Sequence, residues 1–122
     1  MVKIVFCARR LPHLSLEEFQ RYWRHTHGPL VRGYAPLLGI RRYVQTHTID
    51  NPINDALRAS RGGPEPFDGV AELWWDSIDD LARGAGSDEG REASAALLAD
   101  EQRFIDLPRS PLWVAEEIAI VG

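Results

Sequence analysis

The sequence predicts an α+β domain: one antiparallel sheet of four strands with its helices on a single face. Three observations carry this. Four segments rich in β-branched and aromatic residues alternate with helical signals in the order β-α-β-β-α-β. A capped amphipathic helix starts soon after the first strand, and a longer helix precedes the last. The strands carry large side chains on both of their faces, so the sheet needs cover on each side. With 122 residues, the chain reads as one domain over residues 1–122. This is the ferredoxin-like, split βαβ order.

The first strand is "VKIVFCA", residues 2–8, apolar on both faces and therefore central. Ser15 opens the first helix: Glu18 stands three residues on and completes a capping box. Leu16, Phe19, Trp23 and Leu30 form its apolar stripe. Gly28 before Pro29 is biased away from the α region, which predicts a kink or restart there before "PLVRGYAPLL". "GIRRYVQTHTI", residues 39–49, is the second strand, with Ile40, Arg42, Val44 and Thr46 on one face and Arg41, Tyr43, Gln45 and His47 on the other.

Residues 50–66 are polar and turn-rich, with a helical turn expected around "NDALRAS". "FDGVAELWWD", residues 67–76, is the third strand. It sets Asp68, Glu72, Trp74 and Asp76 on one face and Ala71, Leu73 and Trp75 on the other. Ser77 with Asp80 caps "IDDLA", and a helix is expected over residues 87–105, with Ala93, Ala96, Leu97 and Phe104 on its apolar side. "LWVAEEIAIV", residues 112–121, is the fourth strand. Large residues stand on both faces of the strands, among them Trp74, Trp75, Trp113, Tyr43 and Val70, so helices on one face would leave an apolar sheet face that a second copy of the chain is expected to cover.

Hydrophobic residues at 44% and charged residues at 26% are those of a soluble globular chain. The net charge is −4, Lys3 is the only lysine and the arginines are scattered, which argues against a nucleic-acid partner. No segment reaches the roughly 20 apolar residues of a membrane span. The first residues read as a strand rather than a signal peptide, so a cytoplasmic location is expected. Cys7, the one cysteine, excludes an internal disulfide and sits in an apolar run as an inert thiol.

"YWRHTHGPLV" places two histidines one residue apart. At about 100° per residue, His27 falls near 20° from Leu16, beside the apolar stripe, and His25 near 180°, on the solvent side. The two rings diverge and cannot clasp one metal. His27 is either a structural histidine pinning the helix end or a proton carrier at the mouth of a cavity.

The run "FQRYWRHTHGPLV", followed by "LLGIRRYVQTH" and by "FIDLPRSPLWVAEEIAI", resembles the EthD family over nearly the whole chain. The resemblance implies a dimeric α/β barrel, in which two ferredoxin-like protomers pack sheet to sheet. It matches His27 to the motif histidine, Tyr22 and Trp23 to its aromatic pair, and Arg42 with Tyr43 to its strand signature. It implies activities as diverse as cofactor-independent oxygenation, polyketide cyclisation, dehydration, decarboxylation, lactone isomerisation and haem degradation, between which a fold does not choose.

The candidate catalytic groups are His27, Tyr43 and His47, with Tyr22, Trp23, Arg42, Glu72 and Trp74 as candidate substrate contacts. Glu72 in mid-strand belongs at a wet rim, in a salt bridge or in a site. There is no nucleophile elbow and no phosphate-binding glycine pattern. The expected function is a cofactor-free enzyme acting on an aromatic or polyketide-like metabolite by histidine-assisted proton transfer. The competing readings are a non-catalytic dimer that binds a hydrophobic molecule or assists an oxidase, and a purely structural dimer. Haem bound through His27 or His47 is an alternative to the expectation of no cofactor.

Overall fold

The computed structural model describes residues 1–122. Strands β1 (Val2–Ala8), β2 (Arg42–His47), β3 (Gly69–Trp75) and β4 (Leu112–Ala115) form one antiparallel sheet in the order β2-β3-β1-β4. Helices α1 (Leu16–Tyr22) and α2 (Gly28–Leu38), joined by a π-helical turn at Trp23–His27, pack beside α4 (Ile78–Gly86) and α5 (Asp88–Glu101) on one face of it. The remaining helix, α3 (Ile53–Arg61), lies within the 50–66 connection, extends the expected turn and buries none of its residues. The ferredoxin-like order is therefore present.

The capping box forms as the spacing predicts. Ser15 Oγ accepts from the Glu18 amide at 3.0 Å, and Glu18 Oε1 accepts from the Ser15 amide at 2.9 Å; such a cap contributes about 1 kcal/mol. Phe6, Ala8, Phe19, Trp23, Ala71, Phe104 and Ile105 make one buried cluster, and Val31, Leu38, Ile40, Trp75 and Ala93 a second. Tyr43 and Leu73 pack against both, so the seam between the clusters runs past Tyr43. Phe19, Trp23 and Phe104 are the large side chains removed wholly from water, each worth roughly 1.5–3 kcal/mol of transfer free energy.

The α-helix is interrupted just before the Gly28–Pro29 step and restarts there, as expected, though through a π-helical turn in which Gly28 keeps α-helical angles, φ −54° and ψ −51°. Two expectations need correction. Strand β2 is shorter than residues 39–49, because Gly39 takes a left-handed conformation, φ 75°, to end α2. Strand β4 stops at Ala115 instead of running to residue 121. Ala115 already pairs with Lys3 near the start of β1, so Ile118, Ile120 and Val121 have no strand to join and stand exposed.

The sheet's far face is less apolar than expected. Trp74 is buried there without a second copy, with the Arg42 guanidinium 4.7 Å and the Lys3 ammonium 5.2 Å from its ring. Lys3 in turn pairs with Glu72, and with Glu117 at 2.9 Å. Val5, Val44, Val70 and the half-exposed Trp113 complete that face. Trp75, its side chain alternating inward, donates from Nε1 to the Leu38 carbonyl at 2.8 Å. No helix is long and apolar enough to cross a membrane.

Candidate active site

The π-helical turn organises the site. Pro29 lacks an N–H and its ring would press on the carbonyl four residues back in a regular α-helix. The turn instead widens, and the Gly28 amide donates five residues back to the Trp23 carbonyl. That carbonyl also accepts from Gln45 Nε2 at 2.9 Å. A β-carbon at residue 28 would lie 3.3 Å from the same Gln45 nitrogen, so glycine permits the strand's amide to reach the helix.

Widening the turn changes which side chains share a face. Residues five apart diverge by about 140° in an α-helix, whereas in a π-turn they are neighbours. Tyr22 and His27 are such a pair, and both reach Asp100 of α5. Tyr22 donates its hydroxyl to Oδ1 at 2.5 Å, and His27 Nδ1 lies 2.8 Å from Oδ2. The His27 ring is 5% exposed and rests against Phe104, centroids 5.1 Å apart. Burial pushes its pKa below the usual histidine value, with Asp100 pulling the other way. The neutral ring then donates Nδ1–H to Asp100 and keeps its lone pair on Nε2. Burial, followed by Asp100, raises the Tyr22 phenol.

A second chain of hydrogen bonds comes from β2, whose inward residues are Tyr43, Gln45 and His47. His47 Nε2 lies 2.8 Å from Gln45 Oε1, and Gln45 Nε2 donates to the Tyr43 hydroxyl at 2.8 Å. The His47 ring stacks on Trp23 with centroids 4.6 Å apart and planes 26° from parallel. Burial and then the Arg24 charge lower the His47 pKa. Burial raises the Tyr43 phenol against the pull of Gln45 and Trp23, and Glu101 raises it further. Glu101, next to Asp100 on α5, is pushed up to about 7 by burial and then by its acidic neighbour, with no hydrogen bond or cation offsetting either.

The structure therefore gathers these residues in two neighbouring sets: Tyr22 and His27 on Asp100 within the helical layer, and Trp23, Tyr43 and His47 between the helices and the sheet. Arg42, Glu72 and Trp74 are not with them. They belong to the sheet's far face, where Glu72 takes the salt-bridge role with Lys3. His25 is exposed. No cluster of three or more His, Cys, Asp or Glu side chains is placed to hold a metal ion. A haem fits neither histidine well: His27 is enclosed by Phe104 and Asp100, and His47 is held between Trp23 and Gln45. A cleft of about 380 Å³ opens beside Tyr43 and Gln45, between α2 and the edge strand β2.

Residues 11–108 match the family model of the EthD domain. The chain belongs to the EthD family. An ethyl tert-butyl ether D family protein from Bacillus halodurans C-125 superposes on this EthD domain with a TM-score of 0.64 at 23% identity, over 97% of this chain and 99% of that one. A dimeric protein of ferredoxin-like fold from Bacteroides fragilis aligns with a TM-score of 0.59 at 14% identity, over 95% of each chain. SnoaB, a cofactor-independent oxygenase from Streptomyces nogalater, gives a TM-score of 0.56 at 14% identity, over 98% of this chain and 95% of that one. These likenesses establish the fold. No curated protein matches the sequence significantly.

Two groups of this EthD domain escaped the sequence reading, Asp100 and Glu101. The signal for Asp100 was available. It follows Ala93, Ala96 and Leu97 and precedes Phe104 at three- and four-residue steps, so it is a carboxylate on the apolar stripe of α5. A carboxylate so placed needs a buried partner. Glu101 lies one step off the stripe and carries no comparable signal.

Proposed function

We propose that this EthD domain is a cofactor-independent enzyme that moves a proton on an aromatic or polyketide-like metabolite, in a cyclisation, dehydration, decarboxylation or oxygenation. The observation that carries this reading is the set of interior groups with displaced pKa values: a neutral His27 oriented by Asp100, and Glu101 at about 7 beside Tyr43. Near neutral pH a base with such a pKa is present in useful amounts and returns its proton readily. Asp100 fixes the His27 tautomer and leaves Nε2 basic. Tyr43, its hydroxyl already accepting from Gln45, is the donor nearest the cleft. A cofactor-independent oxygenase shares the fold, which supports chemistry of this kind without naming the reaction.

A homodimer completes the reading. A second copy would cover Val5, Val44, Val70 and Trp113 on the sheet's far face, and a dimer of the same fold supports the arrangement. A single unpaired cysteine suits a cytoplasmic location.

The test is proton exchange in deuterated water at the acidic carbon of a panel of aromatic β-keto compounds and phenols, followed by NMR. The expected result is exchange above background that falls about 100-fold in His27→Gln or Glu101→Gln while binding persists. Full exchange in both variants would remove both groups from the mechanism. The packing of His27 beneath Phe104 favours a second reading, a non-catalytic carrier or accessory protein. Binding of panel compounds with no exchange by the unmodified protein would decide for it.

A further inference from the structure

We propose that the cleft between α2 and the edge of β2 is an oxyanion site that takes the carboxylate of a small aromatic acid. This deepens the proposed function by naming a substrate class, and rests on that reading for the aromatic part.

The cleft's charge runs against that of the chain. Asp and Glu outnumber Lys and Arg by 18 to 14 in the sequence, yet four arginines and no carboxylate line this cavity. Arg24, from the π-helical turn, and Arg32, from α2, line it on the helix side. Arg41, just before β2, closes it on the strand side, and Arg42 borders it with its guanidinium turned over Trp74 on the far face. Elsewhere Arg10, Arg21, Arg83 and Arg91 each meet a carboxylate at ion-pair distance. Arg41 has only Asp76, at 3.8 Å, and Arg42 lies over Trp74. Arg24 and Arg32 have no acidic partner at all. Crowding like charges without a counter-charge is unfavourable, and an anion between the guanidinium groups relieves it.

The ligand's shape follows from the remaining walls. Guanidinium groups bind carboxylates through paired, planar hydrogen bonds. Ala35 and Ile40 give the cleft an apolar side, and Tyr43 and Gln45 supply polar groups at its inner end. Its volume, about 380 Å³, lies at the small end of ligand pockets and suits an acid of one or two rings. A carboxylate held at the arginines directs the ring toward Tyr43.

The test is a titration with 2-naphthoate by calorimetry and NMR, compared with methyl 2-naphthoate and with inorganic phosphate. Naphthoate is expected to bind, more weakly as salt rises, with the uncharged ester about tenfold weaker or worse. Arg24→Gln with Arg32→Gln should lose about tenfold in naphthoate affinity. Both side chains are exposed, and circular dichroism would confirm the fold; the Arg32→Gln single variant carries the same expectation in direction. Equal binding of acid and ester, or an unchanged variant, would overturn the site. Phosphate competing as well as naphthoate would overturn the aromatic acid in favour of a simple anion site. Binding is read without turnover, so its failure leaves the proton-exchange result standing, and the reverse holds.

Discussion

Tyr22 and His27 hold the two oxygens of a single carboxylate, that of Asp100, at 2.5 and 2.8 Å. The three side chains tie the widened turn between α1 and α2 to the end of α5. Only 11% of the Asp100 side chain and 7% of that of His27 reach solvent, so this polar join replaces apolar packing at the centre of the helical layer.

Removing the carboxylate should therefore be costly. Asp100→Ala leaves a half-buried phenol and a buried imidazole without their acceptor, and a buried group so orphaned costs about 1–3 kcal/mol. A loss of about 2–4 kcal/mol in urea denaturation is expected, with Asp100→Asn losing less because its amide oxygen still accepts one bond. A change under about 0.5 kcal/mol in the alanine variant would show that the join contributes nothing net.

Stability should respond to pH through two groups of opposite sign. His27 has its pKa lowered on folding, so its contribution is present above the unfolded value near 6.5 and is lost as pH falls below it. Glu101 is raised from 4.5 to about 7, so its contribution is present below 4.5 and is lost as pH rises through 7. The slopes oppose in the range just below about 6.5, where His27 and Glu101 both titrate, and flatten the profile of the unmodified protein there. Glu101→Gln should leave a stability that rises with pH across that window, and should gain on the order of 2 kcal/mol above pH 7. His27→Gln should leave a stability that falls with pH. Denaturation at stepped pH values measures both, and unchanged slopes would refute the assignment.

Gly69 is where Trp23 lies on the sheet. A β-carbon there would stand 2.6 Å from Trp23 Cη2 and 2.9 Å from the Thr46 carbonyl oxygen. Gly69→Ala should destabilise by about 1–3 kcal/mol, the range of an overpacked core. It should also tilt the indole off His47, visible as a shift of the His47 ring resonances and of tryptophan fluorescence. A variant as stable as its parent would mean that the helix moves freely over β3.

Burial and then the Arg24 charge hold the His47 pKa down. Arg24→Gln should let His47 titrate at higher pH, and a bound carboxylate should do the same in the unmodified protein. Histidine NMR titration reads both. A His47 curve indifferent to both changes would place the Arg24 charge out of reach.

Strand order, both long helices, the Ser15 cap and the inward set Tyr43, Gln45 and His47 were legible in the sequence. All of these rest on local chemistry: alternation with a period of two, a 3.6-residue stripe, a hydroxyl three residues before a carboxylate. That His27 turns inward and His25 outward was legible as well; that His27 shares a carboxylate with Tyr22 was not, because the wheel assumes an even step of about 100° and the π-turn before Gly28 and Pro29 interrupts it. The length of β4 was equally illegible, since "EEIAIV" is a good strand sequence that ends for want of a neighbour.

By itself the sequence determined a ferredoxin-like α+β domain, the EthD resemblance and the inward side of β2. Tertiary structure alone decided that Asp100, far along the chain, joins Tyr22 to His27, that Glu101 is raised beside Tyr43, and that arginines from a helix and a strand share one cleft. The physical reason is range. Periodicity and capping act within a few residues, whereas desolvation and the meeting of charges depend on which distant segments pack together.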